Sequence, residues 1–198
     1  MAKGKRQKKK KIVYFDLDGT VGDWDGSMRR DLTAMIRPGE PPLPDVLDPH
    51  QPDIRDRCEI IKGQHGWWRN LARLEDGFRL FELVQSLGFK VQVLTKGPRK
   101  FPMAWAEKVA WCAEHMPGIG VNIVMNKENV IGDVLVDDFP PYVSEWLAAH
   151  EEGLVIMPDR PWNQYYHHSR AIRYSNPLGQ PIAAIDPIAL ALEVVLAK

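Results

Sequence analysis

Cysteine is scarce in this sequence, with only Cys58 and Cys112 among 198 residues. That excludes a disulfide framework, and a reducing, cytoplasmic compartment is expected. Long apolar runs are also missing. The run after the charged start is only Ile12–Phe15, too short for the apolar region of a signal peptide or for a membrane span. No membrane partner is therefore expected, and no internal repeat is visible. Net charge is absent as well, since 26 basic residues balance 26 acidic ones.

The balance is uneven along the chain. Residues 1–11 hold seven basic side chains (Lys3, Lys5, Arg6, Lys8, Lys9, Lys10, Lys11) and no acidic one. Removing these seven leaves 19 basic against 26 acidic residues, a body at −7. The tail carries no interleaved aromatics and no helical pattern, so it reads first as a disordered, solvated extension. Its charge leaves open a weak nucleic-acid contact through residues 3–11. Apolar content of 44% and charged content of 26% fit an ordinary globular protein, long enough for one core and a small accessory subdomain.

Ile12-Val13-Tyr14-Phe15 is a β-branched and aromatic run without alternation, the pattern of a buried parallel strand. Similar runs recur at Lys90–Leu94, Val121–Met125, Val134–Val136 and Leu154–Met157. Helical patterns separate them. Glu75–Leu87 spaces Phe78, Phe81, Val84 and Leu87 at helical intervals and stops at Gly88, a residue suited to ending a helix. Pro102–His115, Pro141–Ala149 and Pro187–Ala197 each begin on a proline, which is tolerated in a first turn. Strands alternating with helices predict an α/β fold with a doubly wound, mainly parallel sheet.

The interval from about Gly22 to Leu74 breaks that rhythm. It contains Pro38, Pro41, Pro42, Pro44, Pro49 and Pro52 between short helix-like pieces around Ser27–Ile36 and Asp53–Lys62. It is too long for an ordinary connection, so residues 22–74 are expected to be a small helical cap. Residues 12–21 and 75–198 then form the core. Residues 158–186 look irregular.

Ligands in such sheets bind beyond the carboxyl ends of the strands. The residues there are Asp16-Leu17-Asp18-Gly19-Thr20, Thr95-Lys96-Gly97, Lys127 and Asp137-Asp138. Four carboxylates thus converge on one edge with the Thr95 hydroxyl and Lys127. Packed carboxylates repel, and a hard cation such as Mg²⁺ lets them coexist. A lysine and backbone N–H groups near Thr95 and Gly97 suit the oxygens of a phosphate dianion. Alone, Asp16 and Asp18 would read as turn residues, Thr95 as a strand-end hydroxyl and Lys127 as a surface lysine. The whole set carries the site. Asp133, preceding its strand, reads as structural.

These motifs, in this order, resemble those of the haloacid dehalogenase-like phosphatases. Ala106–Trp111, Asn126-Lys127-Glu128 and Gly132–Asp138, with Gly66-Trp67-Trp68-Arg69-Asn70-Leu71 before them, look like the 5′(3′)-deoxyribonucleotidases. The resemblance implies a Rossmann-like core and an aspartyl-phosphate mechanism. Asp16 would be the nucleophile and Asp18 the general acid and base. Mg²⁺ would be held by Asp16, the backbone carbonyl of Asp18 and Asp138, with Asp137 either behind these ligands or linked to the ion through water. Thr95, Lys96, Gly97 and Lys127 would bind phosphate. Lys96 stands where many members have a small hydroxyl residue, and Thr20 where an aliphatic residue is frequent.

A nucleoside monophosphate is the implied substrate. Trp67, Trp68 and Trp24 could offer flat surfaces to a base, although any one of them alone reads better as packing the cap's own core, and Lys108 could add a second cation or sit in solvent. A sugar or metabolite phosphatase would share the catalytic set, and a nucleic-acid 3′-end phosphatase would use the basic tail. A homodimer is left open.

Overall fold

The computed structural model describes residues 10–47, 51–175 and 185–198. Residues 1–9 of the expected tail, and Pro49, lie outside them. Six strands form one parallel sheet: β1 (Ile12–Phe15), β4 (Lys90–Lys96), β5 (Gly120–Val124), β6 (Val134–Val136), β7 (Leu154–Pro158) and β8 (Ala171–Tyr174). Their order is β5-β4-β1-β6-β7-β8, with every neighbouring pair parallel. Central β1 alternates its side chains across the two faces. Val13 and Phe15 enter one apolar cluster, and Tyr14 enters the other.

Helices cover both faces, which is the doubly wound arrangement. On one side, helices α3 (Glu75–Ser86), α4 (Pro102–His115) and α6 (Ile185–Ala197) supply Phe78, Phe81, Val84, Trp111, Ile188 and Leu192 to the core. On the other, α5 (Pro140–Ala149) supplies Val143, Trp146 and Leu147. Gly88 follows α3 with φ +88°, a left-handed conformation that glycine adopts without steric cost.

Two differences from the sequence reading matter. Thr95 and Lys96 lie inside β4, paired with Ile123 and Val124, so the strand runs two residues further than its apolar run. Residues 158–186, expected to be irregular, contain strand β8. It is an edge strand carrying Arg173 and lacks the continuous apolar run of a central strand.

The inserted segment leaves and returns through a short antiparallel ribbon. Strand β2 (Gly22–Asp23) pairs with β3 (Ala72–Arg73). Between them stand α1 (Trp24–Ala34) and α2 (Pro52–Lys62). The Asp23 side chain accepts from Gly26 N–H and caps α1, while Pro52 opens α2. Arg57 of α2 ties that helix to the end of α1 and the segment after it, donating to both oxygens of Glu40 (2.7 and 2.9 Å) and to the Met35 carbonyl. The return leg is fastened to α4. Buried Glu107 accepts N–H bonds from Gly66 (2.7 Å) and Trp68 (3.2 Å), and Trp111 Nε1 donates to the Leu71 carbonyl.

Candidate active site

The first loop folds back on itself directly after β1. The Leu17 carbonyl accepts from the N–H groups of Val21 and Gly22, and Gly19 N–H donates to the Gly22 carbonyl. Gly19 has φ +77°, and a Cβ there would lie 2.5 Å from Asp138 Oδ2. Only glycine lets the loop lie that close to the end of β6. Because β1 pairs with β6 through Phe15 and Val136, Asp16 and Asp137-Asp138 leave neighbouring strand ends together.

The resulting cluster is buried. Asp16, Asp137 and Asp138 are 5%, 0% and 4% exposed, and each offers an oxygen within 4.8 Å of the others. Lys127, 2% exposed, reaches Asp16 Oδ1 at 2.7 Å and Asp137 Oδ2 at 2.6 Å. The other Asp137 oxygen accepts from Phe139 N–H. One ammonium does not neutralise three carboxylates. Burial, together with Asp137 and Asp16, holds Asp138 well above the usual carboxylate range. Burial also raises Asp137, to about 6, against the pull of Lys127. Lys127 is disfavoured as a cation by burial, but Asp137 and Asp16 outweigh that and hold it above its ordinary value. Three buried carboxylates with a single ammonium leave excess negative charge on oxygen ligands, which fits a hard divalent cation.

Asp18 belongs to a second ion pair. Lys108, 1% exposed, donates to Asp18 Oδ2 at 2.6 Å, to Thr95 Oγ1 at 3.1 Å and to the Lys96 carbonyl at 2.8 Å. Asp18 Oδ1 is buried without a partner. Burial raises the Asp18 carboxyl, Lys108 opposes this, and the nearby Asp16 adds to it.

A cavity of about 500 Å³ opens over these groups, floored by Asp16, Asp18 and Asp138 and walled by Trp24, Ile54 and Tyr142 among others. Lys96 lines it, with its ammonium 4.0 Å from the Tyr142 ring centroid. Trp24 reaches the cavity, whereas Trp67 and Trp68 do not line it. Those two lie in a turn rather than on a helix. They pack edge to face at 4.9 Å, with Trp67 Nε1 bound to Asp31 and Trp68 Nε1 to the Lys62 carbonyl. Their rings belong to the core, so they are removed from the expected base surface. Gly97 N–H donates to the Val124 carbonyl at 3.2 Å and is thereby committed within the sheet rather than to phosphate. A Cβ on Gly97 would fall 2.1 Å from the Trp105 ring, so its smallness serves packing. Asp133 accepts from Ile12 N–H and pairs with Lys11 at the opposite end of β1.

The sequence reading missed the loop after β7. Arg160 Nε donates to the Gly19 carbonyl and its Nη1 to buried Asp76. Trp162 Nε1 donates to Asp138 Oδ2, and Asn163 Nδ2 to the Asp138 carbonyl. The strand-end rule points to this loop, because β7 adjoins β6.

A parallel α/β sheet with an acidic cluster at its carboxyl edge is the fold seen in haloacid dehalogenase-like hydrolases. A haloacid dehalogenase-like hydrolase from Burkholderia xenovorans LB400 superposes with a TM-score of 0.51 at 13% identity, over 83% of this chain and 94% of that one. A haloacid dehalogenase-like family hydrolase from Xanthomonas campestris gives 0.49 at 13% identity, over 94% and 96%. The first of these likenesses supports the fold. No curated protein matches the sequence. Residues 10–178 match the family described as 5′ nucleotidase, deoxy (pyrimidine), cytosolic type C protein (NT5C). The chain belongs to that family and is a phosphoric monoester hydrolase.

Proposed function

We propose that the protein is a Mg²⁺-dependent cytoplasmic 5′-nucleotidase that dephosphorylates (deoxy)nucleoside monophosphates through an aspartyl-phosphate on Asp16. The observation that carries this reading is the buried Asp16 carboxylate at the cavity floor, paired with Lys127 at 2.7 Å. Residues 12–21 and 75–198 act as the catalytic core, and 22–74 as the cap over the cavity.

Asp16 attacks phosphorus and displaces the nucleoside oxygen, forming an acyl phosphate. Asp18 gives that oxygen its proton, then takes one from the water that hydrolyses the acyl phosphate. The hydrogen bond it accepts from Lys108 keeps the carboxyl aimed from the loop. Thr95, Lys96 and Lys127 hold phosphoryl oxygens, and Lys127 also reduces the repulsion between Asp16 and the incoming dianion. Asp16, Asp138 and the Asp18 carbonyl would hold Mg²⁺, with Asp137 acting through water. The ion would supply positive charge against the phosphoryl oxygens.

Substrate class follows from the wall above the acids. Trp24, Ile54, Val46 and Leu47 make that wall largely apolar, which suits a flat base better than a sugar rich in hydroxyls. Stacking on an aromatic ring contributes about 1–3 kcal/mol per base. A nucleic-acid end is less well matched. Of the basic residues, Lys10 and Lys11 precede β1, at the end of that strand opposite the site.

Phosphate release from deoxy- and ribonucleoside 5′- and 3′-monophosphates, sugar phosphates and a 3′-phosphorylated oligonucleotide, with and without Mg²⁺, tests this. Mg²⁺-dependent turnover of nucleoside monophosphates well above the rest is expected, and D16N should abolish it with the fold intact. Substantial D16N activity would overturn the nucleophile. Preference for another panel member would overturn the substrate class.

A further inference from the structure

Asp138, like Asp137, has a donor on each of its carboxylate oxygens, but its donors are neutral groups rather than an ammonium. Its Oδ2 accepts from Trp162 Nε1 at 2.8 Å, and its Oδ1 from the fully buried Thr20 hydroxyl at 3.3 Å. Its carbonyl accepts from Asn163 Nδ2 at 2.8 Å. Asn163 is itself fixed, since its side chain also donates to the Pro158 carbonyl and accepts from Arg160 N–H and Arg173 Nη2. Three chain segments therefore meet on one carboxylate: the first loop, the end of β6 and the loop after β7.

We propose that Trp162 and Thr20 are positioning residues that fix the carboxylate plane of Asp138 for Mg²⁺. This rests on the reading of Asp138 as a metal-holding residue. The physical case is that of a crowded acid. Asp138 sits beside Asp137 and Asp16, and repulsion favours turning its oxygens away from the shared centre. A donor on each oxygen opposes that rotation and leaves lone pairs free for a cation. Thr20 comes from the loop that carries Asp16, so the grip also ties the two acids to each other. Trp162 lines the cavity, so its indole meets both the space for substrate and the acid beneath it.

Outer partners of metal-holding groups typically change affinity about 10–100-fold when removed. The test is the Mg²⁺ dissociation constant of substrate-free protein, by calorimetric titration. The Mg²⁺-induced rise in the unfolding midpoint above the value in chelator provides a second reading. W162F keeps a ring and loses the N–H, and T20V keeps the shape and loses the hydroxyl. Weakening by roughly 10-fold or more in W162F, with a smaller loss in T20V at its longer distance, is expected. Comparison in chelator separates any general loss of stability. Should W162F fail to fold, T20V decides, and an unchanged constant overturns the proposal. D138N separates the two levels of inference. If D138N loses binding while W162F and T20V bind like wild type, the positioning role alone is wrong. If wild type does not bind Mg²⁺, or D138N binds it equally well, the metal reading fails and this inference with it.

Discussion

Replacing Lys127 by methionine tests whether the acidic cluster depends on its one central cation. The ammonium is 2% exposed and sits 2.7 Å from Asp16 Oδ1 and 2.6 Å from Asp137 Oδ2. Removing one member of a buried ion pair costs about 3–5 kcal/mol, because its partner stays charged and buried. Here two carboxylates lose their counterion, while methionine keeps most of the apolar stem, so the upper part of that range is expected. Domains of ordinary stability have about 5–15 kcal/mol in all. The assay is urea unfolding in chelator, followed by far-UV circular dichroism. With a slope near 2 kcal/mol per molar, the midpoint of K127M should fall by about 2 M. Adding D137N removes one stranded charge and should restore roughly half the loss. A K127M midpoint within about 0.3 M of wild type would refute the reasoning.

Trp68 is 4% exposed and packed in the core, so W68A should cost about 3–5 kcal/mol of stability, read by the same unfolding assay. A normal midpoint with raised KM would return it to the substrate pocket. Glu40 supplies a pH dependence within the inserted segment. Its hydrogen bonds from Arg57 come first among the causes that pull its carboxyl from 4.5 down to about 2. A depressed acid stabilises fully above its unfolded value, and that contribution disappears as pH falls through the folded one. E40Q should therefore unfold more easily than wild type at pH 7, with the difference closing between about pH 4.5 and 2. A constant difference across that interval would show that the ion pair is not its source.

The central strands were the legible part of the fold. Ile12–Phe15 and Val134–Val136 appear in the structure with the bounds their apolar runs give, because a strand buried on both faces needs apolar side chains throughout. β8 was hidden because an edge strand tolerates Arg173, and β2 and β3 because two residues carry no period. Within the site, strand-end position was enough to bring Asp16, Asp137 and Asp138 together. It was not enough for the tryptophans, since an irregular turn gives no rule for which way a ring points. Lys108 shows the same limit on a helix. Its spacing from Trp105 and Cys112 marks a face, but only tertiary packing shows that this face meets Asp18 and Thr95.

Adjacent residues of α4 face two different parts of the protein. Glu107 takes the backbone N–H groups of Gly66 and Trp68 on the return leg of the inserted segment. Lys108 holds Asp18 and the Thr95 hydroxyl. These two residues share one rigid turn of helix, so force on the return leg passes to the ammonium beside Asp18 without crossing a flexible loop.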